Sequence, residues 1–149
     1  MIVEELTIHL YSITDAPANV TISVETGSID DDHTGGRLEK VAYARAGEMK
    51  TFICKTAPYY GQATIKWLFQ AAGASITTPP KQLVDKAVTF KTPDGESVYQ
   101  ESRIQITVRP EDDRSYIDCL VWSVGDARID SRVRLDIIRE FLFVRYMFA

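Results

Sequence analysis

Three short stretches decide the fold of this 149-residue chain: Phe52-Ile53-Cys54, Ile65-Lys66-Trp67 and Ile117-Asp118-Cys119. Cys54 and Cys119 are its only cysteines, and Trp67 follows the first of them by thirteen residues. A cysteine on one strand, a tryptophan on the next and a cysteine on a late strand are typical of a two-sheet β-sandwich pinned by a disulfide. Two buried free thiols stay open as the alternative, because two cysteines alone fit either state.

Strand-like alternation recurs on both sides of these stretches, and helical periodicity is nearly absent. Residues 25–40 are polar and contain Asp30-Asp31-Asp32 and Gly35-Gly36, so they are predicted to form a loop. Turns are predicted at Gly47-Glu48 and at Pro93-Asp94-Gly95. From Val20 onward this gives about seven or eight strands, at residues 20–24, 41–45, 49–55, 64–69, 88–91, 103–108, 117–122 and 132–137. The pattern predicts an all-β antiparallel sandwich.

The composition excludes several classes of function. Hydrophobic residues make up 45% of the chain and charged residues 26%, as in an ordinary globular domain. The net charge is −4, and no cluster of Lys and Arg could neutralise phosphates, so no nucleic-acid partner is expected. The sequence has no nucleophile elbow and no phosphate-binding glycine loop, so we expect neither an enzyme nor a small-molecule substrate nor a cofactor.

No metal site is expected either. Asp30-Asp31-Asp32-His33 has the oxygen ligands that calcium prefers, but three adjacent aspartates cannot all face one ion. A solvated loop is the simpler interpretation. His9 and His33 lack the spacing of zinc ligands.

From both ends of the chain we expect a piece of a longer protein or an incomplete gene product. Met1-Ile2-Val3 is followed at once by Glu4-Glu5, unlike a basic signal-peptide start. Residues 1–16 are expected to be the end of a preceding domain or a linker, because Asp15-Ala16-Pro17 looks like an interdomain junction. Residues 139–149 form an apolar tail of unclear status, too short for the ~20 residues of a membrane span. The domain itself is expected to cover residues 17–138.

With these residues in place, the chain resembles the immunoglobulin superfamily over residues 17–138. Four features carry the resemblance. Gly47-Glu48 leading to Cys54 is similar to strand B, and Trp67 is similar to the tryptophan of strand C. Ile104, Ile106 and Val108, followed by Glu111-Asp112-Asp113, are similar to strand E and its exit, and Cys119, followed by Val133, Leu135 and Ile137, is similar to strand F followed by strand G. The resemblance implies a Greek-key sandwich of about seven strands with one inter-sheet disulfide, Cys54–Cys119, and Trp67 packed on it in the core.

One departure narrows the resemblance. Immunoglobulin strand F usually has a tyrosine two residues before its cysteine, but this chain has Ile117 there, and Tyr116 is expected to point to the other face. Asp113 is retained. In this respect the chain is similar to the C2-type domains (the CD80-like set) of nectin-like and nephrin-like adhesion proteins. The resemblance implies an extracellular or cell-surface module that binds a protein partner, homophilic or heterophilic, with a membrane connection only through an anchor outside this sequence.

Other functions stay open beside adhesion. The chain could be a B7-like or receptor-type immune ligand fragment, or a structural spacer that binds nothing. Two features bear on the choice. The candidate binding face, which alternation directs away from the core, consists of Leu68, Leu120, Trp122, Arg132 and Arg134, and exposed aromatic and aliphatic side chains rimmed by Arg are typical of a binding patch. Asn19-Val20-Thr21 is an N-glycosylation sequon, and Asn19 is the only asparagine.

Overall fold

The computed structural model describes residues 17–73, 81–83, 87–123 and 128–138. The segments at 1–16 and 139–149, for which the sequence suggested a preceding domain and an apolar tail, lie outside the described residues, as does His9. In the described part of the chain no helix is long and apolar enough to cross a membrane.

Ten strands occupy the described residues, where the sequence predicted about seven or eight. They are β1 (Val20–Val24), β2 (Ile29–Asp32), β3 (Glu39–Ala44), β4 (Met49–Thr56), β5 (Ala63–Gln70), β6 (Lys81–Leu83), β7 (Val88–Lys91), β8 (Val98–Thr107), β9 (Ser115–Ser123) and β10 (Arg128–Ile137). The two strands that the sequence did not predict are β2 and β6. The expected loop at residues 25–40 is therefore wrong in part, because it contains β2 and the start of β3.

The strands form two sheets, in the orders β1-β4-β8-β7 and β2-β3-β10-β9-β5-β6. All neighbours are antiparallel except β3 and β10, which run parallel. Strands β4, β5, β8, β9 and β10 take the places of immunoglobulin strands B, C, E, F and G, with the first sheet in the order A-B-E-D. The predicted immunoglobulin-like β-sandwich is confirmed, with a larger second sheet than expected.

The core lies between the sheets and contains the disulfide. Cys54 on β4 and Cys119 on β9 are bonded across the sheets with their Cα atoms 6.4 Å apart, which settles the free-thiol alternative. Closing a loop of 65 residues stabilises the fold by about 4 kcal/mol on the chain-entropy model. Trp67 is fully buried, and its indole Nε1 donates a hydrogen bond of 2.6 Å to Ser102 Oγ on the opposite sheet.

The hairpin of β2 and β3 forms at the edge of the second sheet despite its aspartates. Ile29 packs against the core, which fixes the face of β2. Asp31 stands directly opposite Lys40, and its carboxylate is 2.5 Å from the Lys40 ammonium. Cross-strand ion pairs of this kind offset the low strand propensity of aspartate. The next turn, at Gly47, is as predicted, and Gly47 adopts the left-handed conformation that favours glycine.

Candidate functional site

The candidate site is the outer face of the six-stranded sheet, meaning the side chains of β2, β3, β5, β9 and β10 that point away from the core. On β9 the core takes Ile117, Cys119 and Val121, so Tyr116, Asp118, Leu120 and Trp122 point outward. Register places Leu68 opposite Asp118, Arg132 opposite Asp118 and Arg134 opposite Tyr116. The five residues of the candidate binding face therefore lie on one side of one sheet.

Two of those five residues are not open to solvent. Leu120 is 6% exposed and Arg134 is 6% exposed, so the expectation of an exposed patch is wrong at these positions. Strand alternation predicts the direction of a side chain but not what covers it. Leu68 and Trp122 are half-buried, and Arg132 keeps 52% of its side chain exposed. The accessible part of the face is accordingly narrower than predicted.

Arg134 is enclosed by three carboxylates, one from each of three strands. Its Nη2 donates to Asp32 Oδ2 of β2 at 2.6 Å, its Nη1 donates to Glu39 of β3, and its Nε donates to Asp136 Oδ1 of β10 at 2.9 Å. The hydrogen bond to Asp136, and to a smaller extent the one to Asp32, raise the pKa of Arg134 above its ordinary value. The hydrogen bond from Arg134, with those from Thr34, holds the pKa of Asp32 well below its usual range. The arrangement fastens the β2–β3 hairpin to β10.

A second group of contacts joins the same network to β9 and β5. Arg132 donates from Nε to Asp118 Oδ1 at 2.6 Å and from Nη2 to Asp118 Oδ2 at 3.0 Å, and Nη2 also reaches Gln70 Oε1 at 3.2 Å. The Arg132 guanidinium lies 4.6 Å from the centre of the Tyr116 ring. The Tyr116 hydroxyl donates to Glu39 Oε1 at 2.9 Å. Polar contacts therefore run without a break from β2 to β5.

Trp122 is the aromatic centre of the other end of the face. The Lys66 ammonium lies 5.1 Å from the centre of its ring and the Arg128 guanidinium 6.0 Å from it. A cation over an aromatic face contributes about 0.5–1 kcal/mol at an exposed site. Lys66 and Arg128 are residues that the sequence reasoning missed. Their place on this face follows from the register with β9, where Arg128 stands directly opposite Trp122 and Lys66 opposite Leu120. The pattern of a single strand does not contain that register.

Of the other residues that the sequence singles out, Tyr116 lies on the outer face, and Ile117, Asp113 and Asn19 lie elsewhere. Tyr116 points away from the core, as expected, while Ile117 is fully buried in it. Asp113 accepts a hydrogen bond of 2.8 Å from the Ile137 amide and so fastens the turn before β9 to the end of β10. Asn19 is exposed just before β1, with its backbone carbonyl accepting a bond of 3.0 Å from the Ala57 amide.

The aspartate run has separate partners for each carboxylate. Ser28 donates to Asp30, Lys40 pairs with Asp31, and Arg134 pairs with Asp32. Among the residues that the structure describes, no group of three or more His, Cys, Asp or Glu side chains is placed to hold a metal ion.

Comparison with known proteins gives structural neighbours without sequence relatives. No family model matches the sequence, and no curated protein matches it. The chain is similar to the crystal structure of Rst D1-D2, with 17% identity and a TM-score of 0.60, over 83% of this chain and 50% of that one. It is also similar to the full ectodomain (Ig1-Ig3) of mouse nectin-like molecule 4, with 15% identity and a TM-score of 0.57, over 82% of this chain and 34% of that one. The chain thus spans half the length of the first and about a third of the second. At these identities the likeness shows the fold, which is an immunoglobulin-like β-sandwich.

Proposed function

We propose that this chain is an extracellular immunoglobulin-like module of a cell-surface adhesion or recognition protein, and that it binds another protein reversibly through the outer face of its six-stranded sheet. The observation that carries the proposal is Trp122, a half-buried residue with the cations of Lys66 and Arg128 over its ring. Tryptophan and arginine are the residues most enriched at the centres of protein interfaces. In this proposal the chain catalyses no reaction.

The likeness to a nectin-like ectodomain supports the adhesion context, and the disulfide supports an oxidising compartment. We further propose that the domain belongs to the C2-type set, on the residue at position 117, and that Asn19 carries a glycan. Asn19 immediately precedes β1, which belongs to the other sheet, so a glycan there would leave the proposed binding face open.

A structural spacer is the second candidate, and a specific observation favours it. Leu120 and Arg134 are buried, and the carboxylates around Arg134 and Arg132 are already paired. Carboxylates that are already paired within the domain offer a partner fewer new hydrogen bonds.

Two measurements on the full chain separate these functions. Sedimentation velocity from about 1 to 100 μM covers the affinities of weak homophilic adhesion. A tetramer of biotinylated chain, applied to a panel of cultured cells, detects a heterophilic surface partner. Concentration-dependent dimerisation or saturable cell staining supports the binding module. A monomer throughout that stains no cell would overturn the proposal in favour of the spacer.

A further inference from the structure

A groove of about 240 Å³ opens on the outer face at the opposite end from Trp122. It is lined by residues 37–40, which lead into and begin β3, by Tyr116 of β9, and by Arg132 and Arg134 of β10. Its volume is below the range of small-molecule pockets, which begins at about 300 Å³. Such a groove suits a single side chain of a larger partner better than a free ligand.

The cationic side chains of the groove differ in how many of their hydrogen-bond donors are already used. Arg134 is saturated by its three carboxylates, and Lys40 is paired with Asp31. Arg132 uses Nε and Nη2 on Asp118 and Gln70, which leaves its Nη1 without a hydrogen bond among the described residues. Arg37 is exposed and forms no ion pair in the described ranges. The guanidinium groups of Arg132 and Arg37 therefore have N–H donors available for a partner.

The available guanidinium of Arg132 is also held in place. Its two bonds to Asp118 and its position over the Tyr116 ring fix the plane of the group. A donor that is already ordered loses little side-chain entropy when it binds. Beside it, Leu38 is 57% exposed, although it is a large aliphatic residue. The groove thus combines ordered positive charge with an open apolar contact.

We propose that this groove receives a glutamate or aspartate side chain of a protein partner. Arg132 and Arg37 donate to the carboxylate, and Leu38 packs against an apolar residue next to it. A guanidinium fork matches the geometry of a carboxylate and forms strong, charge-assisted hydrogen bonds with it. Glu39, which also lines the groove, and the net charge of −4 disfavour a polyanion. The inference rests on the proposed function, since it names the chemistry of that partner.

The test is an NMR titration of the ¹⁵N-labelled full chain at low salt. Three probes are compared at about 10 mM, a concentration suited to a single weak anchor: the blocked peptide N-acetyl-Leu-Glu-Ala-amide, its glutamine counterpart, and sialyllactose, which offers a carboxylate on a sugar. The glutamate peptide is expected to shift the amides of residues 37–39, 116 and 132, and the glutamine peptide is not.

Variants locate the effect. Arg37→Gln is expected to fold normally, because Arg37 is exposed. It is expected to weaken the binding of the glutamate peptide about tenfold, the loss expected when a charge-assisted contact is removed. Arg103→Gln is the matched control, since Arg103 is an exposed arginine of the other sheet.

Any of four results would overturn the inference. The glutamate peptide could cause no shift at the groove, or the glutamine peptide could cause equal shifts. Sialyllactose could cause stronger shifts, or Arg37→Gln could bind the glutamate peptide as well as the native chain does. Failure here is distinct from failure of the proposed function, because dimerisation and cell staining are measured without these probes.

Discussion

Trp67 and Ser102 are joined by a buried hydrogen bond across the two sheets, from the indole Nε1 to the hydroxyl at 2.6 Å. Ser102 also stands directly opposite Cys54 in the ladder of β4 and β8. The tryptophan is therefore held to the first sheet both by packing near the disulfide and by a polar contact. A buried indole N–H needs such a partner, because an unsatisfied donor costs about 1–3 kcal/mol.

This contact predicts the cost of removing the hydroxyl. Ser102→Ala is expected to lower the free energy of unfolding by about 1–3 kcal/mol, since the indole N–H loses its acceptor in the core. Urea unfolding followed by tryptophan fluorescence measures the change. Ser23→Ala, at an exposed position of β1, is the control and is expected to change stability by less than about 0.5 kcal/mol. Equal effects of the two substitutions would mean that the hydrogen bond contributes nothing.

The sequence predicts the sandwich because its core strands alternate cleanly around Cys54, Trp67 and Cys119. It misses β2 because aspartates at 30–32 have low strand propensity, and only long-range partners make the strand form. Arg134 meets Glu39 and Asp32 across 95 and 102 residues of chain. Pairings at such separations have no local signal.

The same limit applies to the candidate face. Alternation gave the direction of Leu120 and Trp122 correctly, because their neighbours on the strand, Cys119 and Val121, are in the core. It could not give their exposure, since exposure depends on what other segments cover. The ring contacts of Lys66 and Arg128 with Trp122 depend on the register of β5, β9 and β10, which single-strand patterns do not contain.

Among the charged residues that the structure describes, Arg134 is expected to be the one whose substitution lowers stability most. Arg134→Met leaves the carboxylates of Asp32, Glu39 and Asp136 facing one another without a cation, and the free energy of unfolding should fall by about 3 kcal/mol. Hydrogen exchange should show that protection is lost first in β2 and β3, which this residue fastens to β10.

Arg103→Met is the control for that variant. Arg103 pairs with Glu101 on an exposed surface, and such pairs contribute at most about 1 kcal/mol. If both substitutions cost the same, the network does not hold the hairpin.

The turn at Asp94 predicts a dependence of stability on pH. Its carboxylate accepts bonds from Thr92 and from the amides of Glu96 and Ser97, and these hold its pKa at about 2, below the ordinary 3.8. A lowered pKa in the folded state means that the contribution is present above pH 3.8 and is lost as the pH falls toward 2.

Asp94→Asn should therefore lower Tm at pH 7, and the gap to the native chain should narrow as the pH falls from about 4 to 2. Differential scanning calorimetry at several pH values measures the gap. Glu96→Gln, at an exposed position of the same turn, is the control and should leave Tm unchanged. A gap that is constant with pH would contradict the role of the charged carboxylate.

Asn19 is expected to be glycosylated when the chain is exported. Expressed behind a secretion signal in cultured animal cells, the chain should run at a higher mass that falls on treatment with an amide-cleaving glycosidase. Asn19→Gln should remove the shift. Thr21→Ala is the second variant, because it destroys the sequon and keeps the asparagine. An unshifted native chain would show that the sequon is not used.

The central claim is that recognition lies on the outer face of the six-stranded sheet, and a paired substitution tests it most directly. Trp122→Ala removes the aromatic centre of that face, while Met49→Ala removes an equally apolar side chain, 59% exposed, on the other sheet. The measurement is the dissociation constant of the native chain and both variants, by sedimentation or by tetramer staining, whichever detects the partner. We expect Trp122→Ala to weaken binding about thirtyfold, as for a hot spot worth about 2 kcal/mol, and Met49→Ala to leave it unchanged. Equal affinity of the Trp122→Ala variant and the native chain, or a loss confined to Met49→Ala, would contradict the account.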